Sequence, residues 1–311
     1  MSDEISYWNL LDPQIMKAFL EDVKSKGWKA AIQTSNNPKI KELYLFTDCP
    51  PRADGTFYLS LTEQSSVLDL GAGWGSYTFA LSPRVGQITA ADSSLESLGF
   101  IKLRAEQDAI ENISTVHIKP LDFGKIPFAG GSFDCVIMNG VLEWVGSYLK
   151  SGDPLKMQKN CLKEVFRILK KNGELWIGIE NRFGLRYFTG APDDHLLYYS
   201  SKEIKYTTLF PRFIADIITR LKIGVPYRTY THSLWGLKRM LKKAGFNDIE
   251  FYFPETDYRA RSTQILPINS RETKEIISGR IKNKFLRWII SFIKLEPALC
   301  DSFFLRARRE P

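Results

Sequence analysis

Three glycines at alternate positions, Gly71, Gly73 and Gly75, follow the apolar run Val67-Leu68-Asp69-Leu70 and precede Ser76–Leu81, which reads as a helix. A glycine-rich turn between a buried strand and a helix lets backbone approach a ligand where a Cβ would clash. A dinucleotide pyrophosphate wants G-x-G-x-x-G, with phosphate on the helix N-terminus. Ser76 holds the place of that third glycine and Trp74 crowds the loop, so a ligand without phosphates, lying across the strand ends, suits it better. Asp92 closes the next strand-like stretch, Asp122-Phe123 follows another, and Asn139 ends a third. A carboxylate there can accept from both hydroxyls of a vicinal diol, or from an exocyclic amine beside an aromatic ring. No arginine directly follows Asp92 to read a 2′-phosphate, which counts against NADP.

A second group of reactive residues runs from Glu180 to His195 and includes Arg182, Arg186, Asp193 and Asp194. His195 beside Asp194 has three readings: a general base for an acceptor hydroxyl, a ligand to metal or substrate, or a scaffold of the loop. Arg182 and Arg186, with Asp193 in the same segment, can bind a phosphate or carboxylate of an acceptor, or simply pair with Glu180 and Asp194. His232 begins a helix and reads as a cap or core contact. Cys49, Cys135, Cys161 and Cys300 have no paired spacing, so neither a disulfide framework nor a zinc site is indicated, and no metal ligand is assigned.

Taken together, the motifs resemble the class I S-adenosylmethionine-dependent methyltransferases. The resemblance rests on Asp69-x-Gly71-x-Gly73-x-Gly75, Asp92, Asp122, and the Pro127-Phe128…Ser132-Phe133-Asp134 lead into a strand. It covers residues 65–181 by motif and 231–309 by topology. It implies S-adenosylmethionine as methyl donor and S-adenosylhomocysteine as product. Asp69 would hold the amino-acid end, unless it only caps the loop. Gly71, Gly73, Trp74 and Gly75 would form the loop under the ligand. Asp92 and Ser93 would take the ribose, unless Asp92 is a helix cap. Asp122 and Phe123 would meet adenine, and Asn139 with Gly140 would line the methionine portion. Trp144 replaces the histidine of the family's Leu-Glu-His, so no role of that histidine transfers. The run from Glu180 to His195 is also similar to a subgroup associated with bacterial surface polysaccharide and glycoconjugate assembly. That similarity implies O-methylation of a sugar hydroxyl or sugar-linked phosphate.

Base methylation usually wants Asn/Asp-Pro-Pro-aromatic where Asn139-Gly140-Val141-Leu142 stands, and no RNA-binding module is visible, so nucleic acid is not the expected partner. A lipid or quinone acceptor at a membrane surface and a non-catalytic cofactor-binding module are the further alternatives.

The elements that must position these residues read as an α/β fold with a mostly parallel, doubly wound sheet. Strands are predicted at Ser66–Leu70, Gln87–Ala91, Thr115–Lys119, Phe133–Asn139, Glu174–Ile179, Asp248–Phe253 and Asp301–Arg308. Helices are predicted from Ser76, from Leu95 to about Ile110, over Lys156–Lys170 with Gly173 as its stop, and over Ser233–Ala244. Seven strands with an antiparallel last one are what the resemblance implies. Residues 1–60 read as an N-terminal helical cap, with Asp12 capping a helix from Pro13. Residues 61–311 read as the methyltransferase domain, with insertions at about 182–230 and 258–297.

The 311 residues, 44% of them hydrophobic, can bury a full core. A net charge of +8 permits an anionic partner without identifying one. The acidic start Met1-Ser2-Asp3-Glu4 carries no signal pattern, so a cytoplasmic location is expected, with attachment to the inner membrane face as a variant. Residues 280–295 interleave aromatic and aliphatic residues with Lys282, Lys284, Arg287 and Lys294. Such a helix can pack on the sheet, form a homodimer contact or lie on an anionic bilayer.

Overall fold

The computed structural model describes residues 13–147, 152–198 and 200–310; Asp12 and Met1–Glu4, which figure in the sequence reading, lie outside them. Five strands follow one another in parallel, alternating with helices: β1 (Ser66–Leu70), β2 (Gln87–Asp92), β3 (Ile113–His117), β4 (Phe133–Asn139) and β5 (Leu169–Glu180). With β6 (Asn247–Pro254), β7 (Ile265–Pro267) and β8 (Ser302–Arg308) they form one sheet in the order β3-β2-β1-β4-β5-β8-β6-β7. β8 runs antiparallel to both β5 and β6. Helices cover both faces, so β4 carries Cys135, Val136, Ile137 and Met138 in succession, all buried.

The sheet has eight strands rather than seven. The added one, β7, comes from the second insertion and pairs Ile265–Pro267 against Tyr252–Pro254 at the sheet's edge. Pro267 has no N–H to offer a further strand, which suits an edge. β3 begins two residues earlier than the apolar pattern suggests, because pairing with β2 sets its register from Ile88↔Ile113 to Asp92↔His117.

The helices of the N-terminal segment are α1 (Pro13–Lys26), α2 (Trp28–Thr34) and α3 (Pro38–Thr47). Between strands stand α4 (Ser76–Leu81), α5 (Leu95–Gln107) and α6 (Pro154–Ile168). Phe19 and Trp28 of the N-terminal helices pack on Phe100 of α5, and the Trp28 indole N–H donates to Asp108 at 2.9 Å. The α5 start is capped by Ser94, whose side chain accepts from the Ser97 N–H. α6 ends at Ile168 and the chain turns at once into β5 through Leu169. Gly173 is therefore no helix stop. It sits within β5, where a Cβ would approach the Lys170 carbonyl to 2.9 Å.

The first insertion carries α7 (Leu185–Phe188) and α8 (Arg212–Ile223), and α9 (Leu234–Ala244) leads into β6. The second carries β7, α10 (Arg271–Arg280) and α11 (Lys284–Phe292). α11 buries Ile290 alone, leaving Phe285, Trp288 and Phe292 exposed with their rings stacked. No helix among the described residues is long and apolar enough to cross a membrane.

Candidate active site

Parallel pairing places the carboxyl ends of β1, β2, β4 and β5 along one edge of the sheet, so Leu70, Asp92, Asn139 and Glu180 finish near one another. Ligands of open parallel sheets bind at such an edge. A cavity of about 610 Å³ lies there, lined by the glycine loop at one end and by charged residues of the two insertions at the other.

The loop end is built from local geometry. Gly71 has φ +78° and a Cβ on it would stand 2.4 Å from Val141 Cγ2, so only glycine lets the chain leave β1 in this direction. Gly73, also at positive φ, has nothing within 4 Å of where its Cβ would be, and its bare face is open to the cavity. Asp92 Oδ2 accepts the Gly73 N–H and Oδ1 accepts the Ser94 N–H, each at 2.8 Å. The helix cap is Ser94, so Asp92 is not one. Burial raises the Asp92 pKa, opposed by those backbone bonds. Asp69 lies behind, its Oδ2 accepting the Thr78 hydroxyl at 2.6 Å. Burial, helped by the charge of Asp92, lifts it to about 6 against the Thr78 bond. Asn139 accepts the Tyr77 hydroxyl at 3.2 Å, and both side chains reach the wall.

Trp74 lines the cavity too, while its ring packs on Phe19 and Phe100 at 5.6 and 4.7 Å. It thereby ties the loop to the N-terminal helices, which bring Lys39, Glu42 and then Arg52 to the same wall.

The charged end centres on His195. Sequence adjacency suggests Asp194 as its partner, but the ring contacts Asp193 through Nδ1 at 3.0 Å and Glu180 through Nε2 at 2.9 Å. Asp194 instead pairs with Arg186 and Arg259, each at 3.2 Å. Burial alone would lower the His195 pKa, but the charges of Glu180 and Asp193 prevail and hold it well above the usual range. A protonated imidazole between two carboxylates is not a free base. Burial would likewise raise Glu180, yet His195, Arg259 and Arg186 bring it down to about 2. Behind them Glu143 is wholly buried, its Oε1 accepting the Tyr258 hydroxyl at 3.1 Å. Burial and the charge of Glu180 push it up to about 7. Trp144 packs edge-on against His195 with ring centres 4.8 Å apart.

Several expected residues stand elsewhere. Asp193 is buried behind His195, accepting the Tyr227 hydroxyl at 2.9 Å, so it positions the ring and does not face the cavity. Arg186 stays within the cluster, bonded to Asp194 and Glu180. Arg182 donates to the Thr208 carbonyl and lines a separate hollow with Arg212 and His232. Gly75 faces the Phe79 ring, and Ser93 uses its carbonyl toward His117. Asp122 is exposed in the turn after β3, whereas Phe123 is buried in the core; neither is on the cavity wall. His232 is buried at 2.7 Å from Gln158, and burial with Arg212 and Arg182 lowers it to about 3, in keeping with a core contact. Tyr258 and Arg259 were not visible as site residues in the sequence; they lie in an insertion without periodicity, and only the tertiary fold brings them here.

Residues 68–177 match the family described as the methyltransferase domain. The demethylmenaquinone methyltransferase of Lactococcus lactis is 33% identical over 113 residues, covering 35% of this chain and 40% of that protein. The arsenite methyltransferase of Aquipseudomonas alcaligenes is 30% identical over 124 residues, covering 38% and 33%. The chain thus spans less than half the length of these relatives. A chain of the Haloferax volcanii complex between a methyltransferase and its activator shares the fold, with TM-score 0.50 and 14% identity over 91% of this chain and 97% of that one. Over residues 68–177 this chain therefore matches a methyltransferase domain, whose class I members take S-adenosylmethionine as methyl donor.

The residues present fit that cofactor. Gly73 offers an open backbone face, and the Ser76 hydroxyl on the cavity wall is buried without a partner. Asp92 is buried on the cavity wall, and each of its oxygens keeps acceptor capacity beyond the Gly73 and Ser94 N–H groups.

Proposed function

We propose that the protein is an S-adenosylmethionine-dependent O-methyltransferase acting on a small polar acceptor, a sugar hydroxyl or sugar-linked phosphate. One observation carries this reading: a single cavity joins the glycine loop and Asp92 to a wall of Asp194, His195, Tyr258 and Arg259. In this reading Asp69, Gly71, Gly73, Trp74, Asp92 and Asn139 hold the cofactor, and the charged wall holds the acceptor. Residues 1–60 act as a cap and 61–311 as the catalytic domain, its two insertions furnishing the acceptor wall.

The cofactor, when bound, supplies a methyl group already activated on a sulfonium. The protein's own task is then alignment, exclusion of water and acceptance of the proton that a hydroxyl acceptor gives up, for which Asp194 is a carboxylate on the cavity wall. Arg259 and Asp194, fixed to one another, present donors and acceptors suited to a polyhydroxyl compound, and Trp144 and Tyr258 give the apolar walls. A second reading is an acceptor borne on a lipid, favoured by the exposed rings of Phe285, Trp288 and Phe292 among lysines.

Labelled methyl transfer to free sugars, sugar phosphates and the same sugars on lipid anchors in vesicles tests both. Transfer to a hydroxyl or phosphate oxygen is expected, with Arg259→Ala lowering kcat/KM for the acceptor about 10–100-fold, the loss of one charged hydrogen bond. S-adenosylhomocysteine affinity should be kept in that variant. Transfer to RNA alone, or to neither a hydroxyl nor a phosphate oxygen by protein that binds the cofactor, would refute the acceptor class. Transfer only to vesicle-borne sugars would select the second reading.

A further inference from the structure

One buried carboxylate oxygen beside the cavity, Oε2 of Glu143, makes no hydrogen bond. Such an oxygen costs on the order of 1–3 kcal/mol, more when charged. Oε2 of Glu180 has His195 Nε2 beside it at 2.9 Å. A ligand atom from each of Glu143, Glu180 and His195 lies within 4.8 Å of the other two. Two ligands about 2.1 Å from one ion, at right angles, stand about 3 Å apart. The imidazole and Glu180 therefore have the separation of neighbouring ligands.

From this convergence we propose that Glu143, Glu180 and His195 form a binding site for a divalent transition-metal ion. The groups around them support it. Asp193 takes the Nδ1 side of the ring at 3.0 Å and is itself held by Tyr227 at 2.9 Å, the outer carboxylate that usually orients a metal-bound imidazole. Arg259 and Arg186 approach Glu180 through Oε1, at 3.2 and 3.6 Å, and leave Oε2 toward the ring. Tyr258 fixes Glu143 through its other oxygen, Oε1. Each ligand is thus oriented by a partner that spares the converging atom.

Charge points the same way. Glu180 and Asp193 at the ring, with Asp194 and Asp257 beyond them, are four carboxylates answered by two guanidiniums and the imidazole, before Glu143 is counted. Two carboxylates and one imidazole, without sulfur, suit Mn²⁺, Fe²⁺ or Zn²⁺. Glu180 and His195 reach the cavity wall, so an ion here has open positions toward it. Its use, polarising an oxygen of the acceptor, rests on the methyltransferase reading; the binding itself does not.

The test uses the whole chain, stripped with a chelator and titrated with Mn²⁺, followed by calorimetry and electron paramagnetic resonance. S-adenosylhomocysteine binding is measured in parallel. One ion per chain is expected, coupled to one imidazole nitrogen and bound at least about tenfold more weakly by Glu143→Gln and Glu180→Gln. No binding at millimolar Mn²⁺, an ion without nitrogen coupling, or unchanged affinity in both folded variants would overturn the site. The nitrogen coupling is read on the unmutated protein, so it decides the matter even if a variant fails to fold. Cofactor binding without Mn²⁺ binding would remove the metal site and leave the methyltransferase reading standing.

Discussion

Asp69 holds a carboxyl group where the fold disfavours its charge. Its pKa is lifted from 3.8 to about 6 by burial, with Asp92 adding repulsion and Thr78 opposing. Below about pH 3 the group is protonated in both folded and unfolded chains and contributes nothing. From there to about pH 6 the unfolded chain releases the proton first, so the folded state loses stability as pH rises. Above that the penalty is complete, at about 3 kcal/mol. Asp69→Asn, which still accepts from Thr78, should match the wild type near pH 3 and exceed it by about that amount at pH 7. Urea unfolding at the two pH values checks this, and an equal difference at both would contradict it. At this scale the sequence shows what is local. The glycine loop and Asp92 are legible because their roles depend on spacing and on strand ends. Glu143 to Tyr258 and Asp194 to Arg259 are contacts across 115 and 65 positions, which no spacing rule reaches. Adjacency misleads as well, since the loop turns Asp193, not Asp194, toward His195.

The turn from β1 into α4 is the element on which the cavity depends, and its glycines are not equivalent. Gly71→Ala adds a Cβ at positive φ against Val141 and should cost at least about 2 kcal/mol of stability in chemical denaturation. Gly73→Ala pays only for its backbone conformation, because no protein atom stands near the new methyl. It should weaken S-adenosylhomocysteine binding more than it destabilises the chain. Equal stability losses in the two variants would contradict this distinction. Most elements are legible because parallel strands buried on both faces stand out as short apolar runs between helices. Their limits are less so. The start of β3 follows from its partner β2, and the passage at Leu169 from helix to strand has no glycine to mark it. β7 is three residues long and exists only because β6 offers an edge.

For the whole molecule, the N-terminal helices and the two insertions matter as much as the domain they surround. Trp74 joins the loop to Phe19 and Phe100, while Arg259 joins the second insertion to Asp194 and Glu180 in the first insertion's neighbourhood. The matched segment, 68–177, includes the glycine loop and Asp92, and the charged wall of the cavity lies mostly beyond it. This division explains why similarity to known enzymes defines the donor more closely than the acceptor. The central claim is that the edge of the sheet binds S-adenosylmethionine through Asp92 and the glycine loop. Calorimetric titration of the full chain with S-adenosylhomocysteine tests it most directly. One equivalent should bind, and Asp92→Ala, still folded, should bind at least about tenfold more weakly, the loss of a charged acceptor. A wild-type chain that takes up no S-adenosylhomocysteine, or a folded Asp92→Ala chain with undiminished affinity, would contradict the account.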